Sequence, residues 1–289
     1  MVEFARHIPI PGAVEHAVFD PAPEPAPSPS RRWWGRHLQE FRWQAELGRL
    51  VVDPVFQGRG VRRGDGMPVV AIPGFLAGDA SLAVMRGWLG RMGYEARPSA
   101  INCNVDCSDL AVDRLERRIE RIHDLAGRRV ALLGHSRGGH FAKALACRRP
   151  DLVCAMVSMG AGLDTPFDVS LPTKAAIAAV RATHVRYGDR VAHSGCFTET
   201  CSCRFVRDYS ADFPADLPLT SIYTRGDGVV WWEACVVPYA RNVEVQGSHI
   251  GLAFNRKAYR AIADALADAC ENEAKQRAAA RRHAAAAAL

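Results

Sequence analysis

From residue 67 onward the chain alternates short apolar runs with longer stretches in which apolar residues return every three or four positions. The runs are Pro68-Val-Val-Ala-Ile-Pro73, Val130–Leu133, Leu152–Met159 and Leu217–Tyr223, with weaker ones at Glu95–Ile101 and Asn242–Val245. Four to eight apolar residues without alternation predict strands buried on both faces, as in parallel sheets. The stretches between them predict helices. One is capped by Asp79 or Ser81 and runs to about Met92. Another, Leu110–Ala126, is opened by Ser108-Asp109 and stopped by Gly127; it turns Leu115, Ile119, Ile122 and Leu125 inward and its arginines outward. A third contains Phe141–Ala146, and a last one covers Leu252–Ala269. Strands alternating with helices in this way predict an α/β protein with a mostly parallel, doubly wound sheet.

Three regions break the alternation. Residues 1–66 form an N-terminal arm with little periodicity up to the proline-rich stretch Pro21–Pro29, a polyproline-type linker. A helix is expected at 31–50, with Trp33, Trp34, Leu38, Phe41 and Leu47 on one face and Arg36, Glu40 and Arg42 between them. That face packs on the core or caps a groove. Gly58, Gly60, Gly64 and Gly66 follow in a connecting loop that lacks the spacing of a dinucleotide fingerprint. Within the main domain, 67–270, the pattern fails again at about 160–216. That segment holds Thr165-Pro-Phe167, an alanine-rich helix near Thr173–Thr183, a cysteine-bearing stretch and the run Asp208–Phe213. An excursion between two strands predicts a cap inserted over the strand ends, where open α/β sheets bind ligands. The tail, 271–289, is charged and then alanine-rich, and no function is assigned to it.

Composition narrows the partners. Of 289 residues, 48% are apolar and 24% charged, the balance of an ordinary globular chain with a substantial core. The net charge of +6 is spread over scattered arginines, without the basic, aromatic-laced track of a nucleic-acid binder. No apolar run approaches the ~20 residues of a membrane span. The start, Met1–His7, lacks a basic segment leading into a long apolar one, so a cytoplasmic location is expected. Nine cysteines are then reduced by default, but Cys196, Cys201 and Cys203 cluster. Three readings stand: a zinc site completed by Cys235 or His193, a disulfide among Cys196, Cys201, Cys203 and Cys235 that staples the cap, or plain thiols.

The candidate chemistry starts at Val130–Gly139. An apolar strand turns through Gly134-His-Ser-Arg-Gly138 into a helical pattern, the G-x-S-x-G context of a serine held on a strained elbow. Gly134 and Gly138 flank the turn because side chains there would collide with the strand and helix. A nucleophilic Ser136 needs a base, and the base needs an orienting acid. Asp227 follows the strand ending at Tyr223, and His249 follows the strand ending at Val245, so both fall at the sheet edge that carries Ser136. His135 and His140 are set aside as bases, the first by its place on the elbow and the second by its place on the helix. Asp208, Asp212 and Asp216 have no strand end to fix them.

The segments Ile72-Pro-Gly-Phe-Leu76, Gly134–Gly138, Tyr223–Val230 and Gly247-Ser-His-Ile-Gly-Leu252 resemble α/β-hydrolases of the bacterial lipase and esterase kind. The likeness spans roughly 67–270. It implies an α/β-hydrolase fold, a Ser136-His249-Asp227 triad, a carboxylic-ester substrate (a small molecule or a lipid) and no cofactor or metal. It implies backbone N–H donors to an oxyanion from Arg137 and Phe75, with Leu76 as the alternative to Phe75. Leu76, Ile250, cap residues and Trp231 or Trp232 are expected to contact substrate, although the tryptophans are equally compatible with the core. The sixty or so extra N-terminal residues and the longer insertion depart from minimal lipases. A thioesterase or acyltransferase would use the same triad, and a non-catalytic binding protein can share the fold.

Overall fold

Val69 to Ile72, Val130 to Leu133 and Val153 to Met159 are almost wholly shut off from solvent, because the sheet they build is covered on both faces. The computed structural model describes residues 37–187, 196, 198 and 201–287. The strands are β1 (Pro68–Ile72), β2 (Glu95–Pro98), β3 (Val130–His135), β4 (Val153–Met159), β5 (Leu219–Tyr223) and β6 (Arg241–Glu244). All pair in parallel, in the order β2-β1-β3-β4-β5-β6. The doubly wound sheet expected from the sequence is therefore present.

Period-two alternation sorts the strand side chains into two cores. Val69, Ala71, Ala131 and Leu133 face α1 (Trp43–Val52), α2 (Ala83–Arg91) and α7 (Arg256–Ala287), meeting Leu50, Trp88, Tyr259 and Leu266. Val70, Ile72, Val130 and Leu132 face α3 (Ser108–Ala126) and α4 (Arg137–Arg148), meeting Leu115, Ile119, Phe141 and Leu145. The winding reverses between β1 and β3, whose ends are aligned with Ile72 opposite Gly134. The loop after β1 and the elbow after β3 consequently leave the sheet side by side, at the crevice such a reversal creates.

Between β4 and β5 lie α5 (Leu171–Tyr187) and α6 (Arg204–Ser210). Helix α6 rests on α4, with the Phe205 and Phe141 rings edge-on at 5.8 Å. An antiparallel bridge between Val169 and Val230 ties the start of this segment to the loop after β5.

Three expectations need correction. Leu125 is 87% exposed: it sits about 80° around α3 from Leu115, off the stripe formed by Leu115, Ile119 and Ile122. Leu38 and Phe41 are 71% and 72% exposed, whereas Glu40 and Glu46 are buried. The segment is a 3-10 turn over His37–Arg42 followed by α1, and it turns carboxylates inward because backbone donors await them, as described below. Trp33, Trp34 and the proline-rich stretch lie outside the described residues. Helix α7 runs from Arg256 to Ala287, past the helix end expected at Ala269. Its Glu273 is buried and paired with Arg129 at 2.6 Å, so the start of the tail is structural. Among the described residues, no helix is long and apolar enough to cross a membrane.

Candidate active site

Ser136 stands between β3 and α4 with φ 51° and ψ −125°, a conformation that costs an L-residue of order 1–3 kcal/mol. Its neighbours make that turn possible. A Cβ on Gly138 would lie 2.2 Å from the Ile72 carbonyl oxygen, and one on Gly134 would lie 2.5 Å from the Gly138 carbonyl oxygen. The Ser136 N–H donates to the Met159 carbonyl (2.8 Å), and the Ser136 carbonyl accepts from Gly139 N–H (2.7 Å). The backbone is thus fixed, while the hydroxyl borders a cavity.

Asp227 and His249 meet. His249 Nδ1–H donates to Asp227 Oδ2 at 2.6 Å, with both side chains almost fully buried. Asp227 Oδ1 accepts from the N–H groups of Val229 (2.8 Å) and Val230 (2.7 Å), which lock the carboxylate's orientation. Burial alone pulls the His249 pKa down. The charge and hydrogen bond of Asp227, with the charge of Glu40, overcome this and raise it above 6.5. His249 lines the same cavity as Ser136. Among the described residues Ser136 Oγ makes no hydrogen bond.

The loops beneath this pair are held by groups the sequence did not disclose. His135 Nε2–H donates to the His249 carbonyl at 3.0 Å; burial and the neighbouring His249 bring its own pKa down to about 4. Glu40 accepts from Gly228 N–H and His249 N–H (both 3.0 Å) and from Ile250 N–H (2.8 Å). Glu46 accepts from Ser248 N–H (2.9 Å) and Ser248 Oγ–H (3.0 Å). No sequence signal marks either glutamate, because each reads as the polar face of an amphipathic helix.

The loop after β1 is held by Asn104. Its Nδ2 donates to the Pro73 carbonyl (2.8 Å), and its own carbonyl accepts from Leu76 N–H (3.2 Å). Leu76 carries a positive φ of 60°. The Phe75 N–H makes no hydrogen bond among the described residues, whereas that of Leu76 is committed to Asn104. The Arg137 N–H lies in the first turn of α4. The Arg137 guanidinium donates to Asn104 Oδ1 (2.8 Å) and to the Asp106 carbonyl (2.7 Å), so Asn104 joins the elbow to the β1 loop.

The cavity measures ≈ 790 Å³ and is walled mainly by apolar side chains. Phe75, Leu76 and Ile250 line it, with Phe167 and Ile177 from the inserted segment and Phe205 from α6. Trp231 is not among the lining residues; the neighbouring Val229 and Val230 are. Cys107, Cys196, Cys201 and Cys203 also line it. The cysteines carry no disulfide. Cys196 lies against Cys107 (Sγ···Sγ 3.2 Å), while Cys201 Sγ and Cys203 Sγ lie 3.3 Å apart and Cys235 is buried elsewhere, beside Tyr223 and Val230. Among the described residues no group of three or more His, Cys, Asp or Glu could hold a metal; His193 lies outside them.

A profile of the alpha/beta hydrolase fold matches residues 92–192. No curated protein matches the sequence. Among solved structures, the chain is similar to the monoacylglycerol lipase of Paleococcus ferrophilus, at 15% identity over 72% of this chain and 97% of that one, with TM-score 0.50. Aspergillus fumigatus lipase B gives 16% identity over 71% of this chain and 54% of its own, also with TM-score 0.50. The mature Bacillus licheniformis lipase BlEst2 gives 13% over 70% and 92%, with TM-score 0.48. At such identities the two matches with TM-score 0.50 show a shared fold and nothing finer.

Proposed function

We propose that this chain, which has the α/β-hydrolase fold, cleaves carboxylic esters through an acyl-enzyme formed on Ser136. In this reading Ser136 Oγ attacks the acyl carbon while His249 Nε2 takes its proton. Asp227 keeps the other ring proton on Nδ1 and steadies the imidazolium. The N–H groups of Phe75 and Arg137 donate to the oxyanion. Collapse of the tetrahedral intermediate releases the alcohol, which leaves with the proton from His249. Water then repeats the sequence and frees the acid, so the steps use only protein groups and water.

The observation that carries this reading is the buried 2.6 Å His249–Asp227 bond, opening on the cavity that Ser136 borders. A pair of this kind fits the activation of a hydroxyl. The apolar wall favours a substrate with a hydrophobic acyl chain, with Leu76 and Ile250 beside it. A p-nitrophenyl ester series of increasing chain length, run beside matched acyl-thioesters, tests the proposal. Ester turnover that rises with chain length is expected. Thioester kcat/KM more than about tenfold higher would make the protein a thioesterase, and turnover of neither series would overturn the proposal.

A further inference from the structure

We propose that Glu40 is a positioning residue of this site: one buried carboxylate from the N-terminal segment joins the loop bearing Asp227 to the loop bearing His249. The proposal rests on reading Ser136, His249 and Asp227 as a triad. Its geometry is specific. Oε1 takes the N–H of Gly228, the residue after Asp227, together with the N–H of His249 itself; Oε2 takes the N–H of Ile250. Three backbone donors from two loops therefore converge on a side chain about two hundred positions earlier in the chain, itself 7% exposed.

An ionised acceptor binds such donors about twice as strongly as a neutral one, and removing it would leave three N–H groups unpaired away from water. Glu46 supports only one of the two loops, through Ser248. It fits because Gly251 carries no side chain; a Cβ there would lie 1.2 Å from Glu46 Oε2. The groups facing the His249 ring are Asp227 from the loop after β5, His135 from the end of β3 with ring centroids 5.0 Å apart, and Glu40 from the N-terminal turn. Glu46 and Arg42 are the charged neighbours on Glu40's own segment. Of these, Glu40 alone both orients the His249 backbone and places a negative charge by the ring. That charge favours the imidazolium formed when Ser136 gives up its proton.

The test uses the full chain with Glu40→Gln, Glu40→Asp and Glu46→Gln. Kinetics on a p-nitrophenyl ester are measured against pH and normalised by fluorophosphonate titration of active sites. In Glu40→Gln, kcat should fall by about 10- to 100-fold with KM within about twofold, because the lost interaction orients reacting groups. The acid limb should move to lower pH by about 0.5–1 unit as the buried charge is removed. Glu40→Asp, which keeps the charge but shortens the reach, should lower kcat and leave the limb near wild type. Glu46→Gln should move the limb less than Glu40→Gln. Wild-type kcat and acid limb in Glu40→Gln would overturn the proposal, whether or not the melting temperature falls. If wild type turns over no ester, the triad reading fails separately, and an NMR titration of the His249 ring decides Glu40 alone. A midpoint lowered in Glu40→Gln supports the proposal, and an unchanged one overturns it.

Discussion

Replacing Asp227 by Asn changes one atom and should remove nearly all activity. Asp227 Oδ1 is committed to the N–H groups of Val229 and Val230 at 2.8 and 2.7 Å. An asparagine must keep its carbonyl oxygen there, since the flipped amide would turn an NH₂ donor toward two N–H donors. Its Nδ2 then occupies the place of Oδ2, 2.6 Å from His249 Nδ1. A donor at that point obliges Nδ1 to accept, so the ring proton moves to Nε2. The nitrogen that should take the Ser136 proton is then already protonated. A wrong tautomer of this kind lowers kcat by about 10⁴-fold, equivalent to about 5.5 kcal/mol of barrier. The side-chain volume and both turn hydrogen bonds survive, so the protein should fold with a melting temperature near that of wild type. The assay is kcat/KM on a p-nitrophenyl ester at pH 8, per mole of folded protein. A folded Asp227→Asn protein within about tenfold of wild type would refute the reasoning, because one tenfold step is only about 1.4 kcal/mol.

Further predictions concern pH and packing. His249 must be neutral to act as base, and its pKa is raised above 6.5; kcat/KM should therefore decline as pH drops through a value above 6.5, and an acid limb below about pH 5 would contradict this. His135 and His140 are pulled by burial down to about 4 and about 3, so below the ordinary imidazole pKa the unfolded chain binds more protons at these positions than the fold does. Stability should accordingly fall as pH drops from about 6.5 toward 4, with a shallower slope in His140→Phe. His249 contributes with the opposite sign, its share being present in full below the unfolded pKa and lost as pH rises through the folded one; a melting temperature flat over the acid range would count against the assignment. Gly138→Ala places a Cβ 2.2 Å from the Ile72 carbonyl oxygen and should cost about 1–3 kcal/mol in urea unfolding along with the activity; an unchanged midpoint would contradict the geometry. The Arg148 side chain, 2% exposed, bonds Asp113, Glu116 and Asp208 from two helices, and Arg148→Met should lose about 1–3 kcal/mol by removing the cation they share, leaving Glu116 only Arg149 and Arg204 and Asp208 only Arg204; full stability would show that the cluster is neutral to the fold.

The elements legible in the sequence were those with short-range causes. The four inner strands, β1, β3, β4 and β5, lie in apolar runs and are buried throughout, and Gly127 ends α3 with φ 62° as its position suggested. The elbow was legible because its glycines answer a local crowding between β1, β3 and α4. Asp227 and His249 could be placed at one edge because both follow strands of a parallel sheet, and parallel strands bring their ends to the same side. Glu40 and Glu46 were not legible. What makes them inward-facing is a set of unpaired N–H groups on loops some two hundred residues away, and helical periodicity carries no trace of that. The same segment misled on Leu38 and Phe41, whose exposure follows from the carboxylates taking the buried face. Cys196 shows the same limit, since its neighbour Cys107 lies 89 positions away in the chain and not in the local cysteine cluster.

Covalent labelling decides whether Ser136 is an activated nucleophile. A fluorophosphonate probe followed by peptide mapping should place one adduct per chain, on the peptide containing Ser136, with activity lost in proportion. Ser136→Ala should take up no probe, and its turnover should be lower on the order of 10⁶-fold. Labelling at another serine, absence of any adduct on active protein, or a Ser136→Ala variant that still hydrolyses esters within about tenfold of wild type would contradict the account.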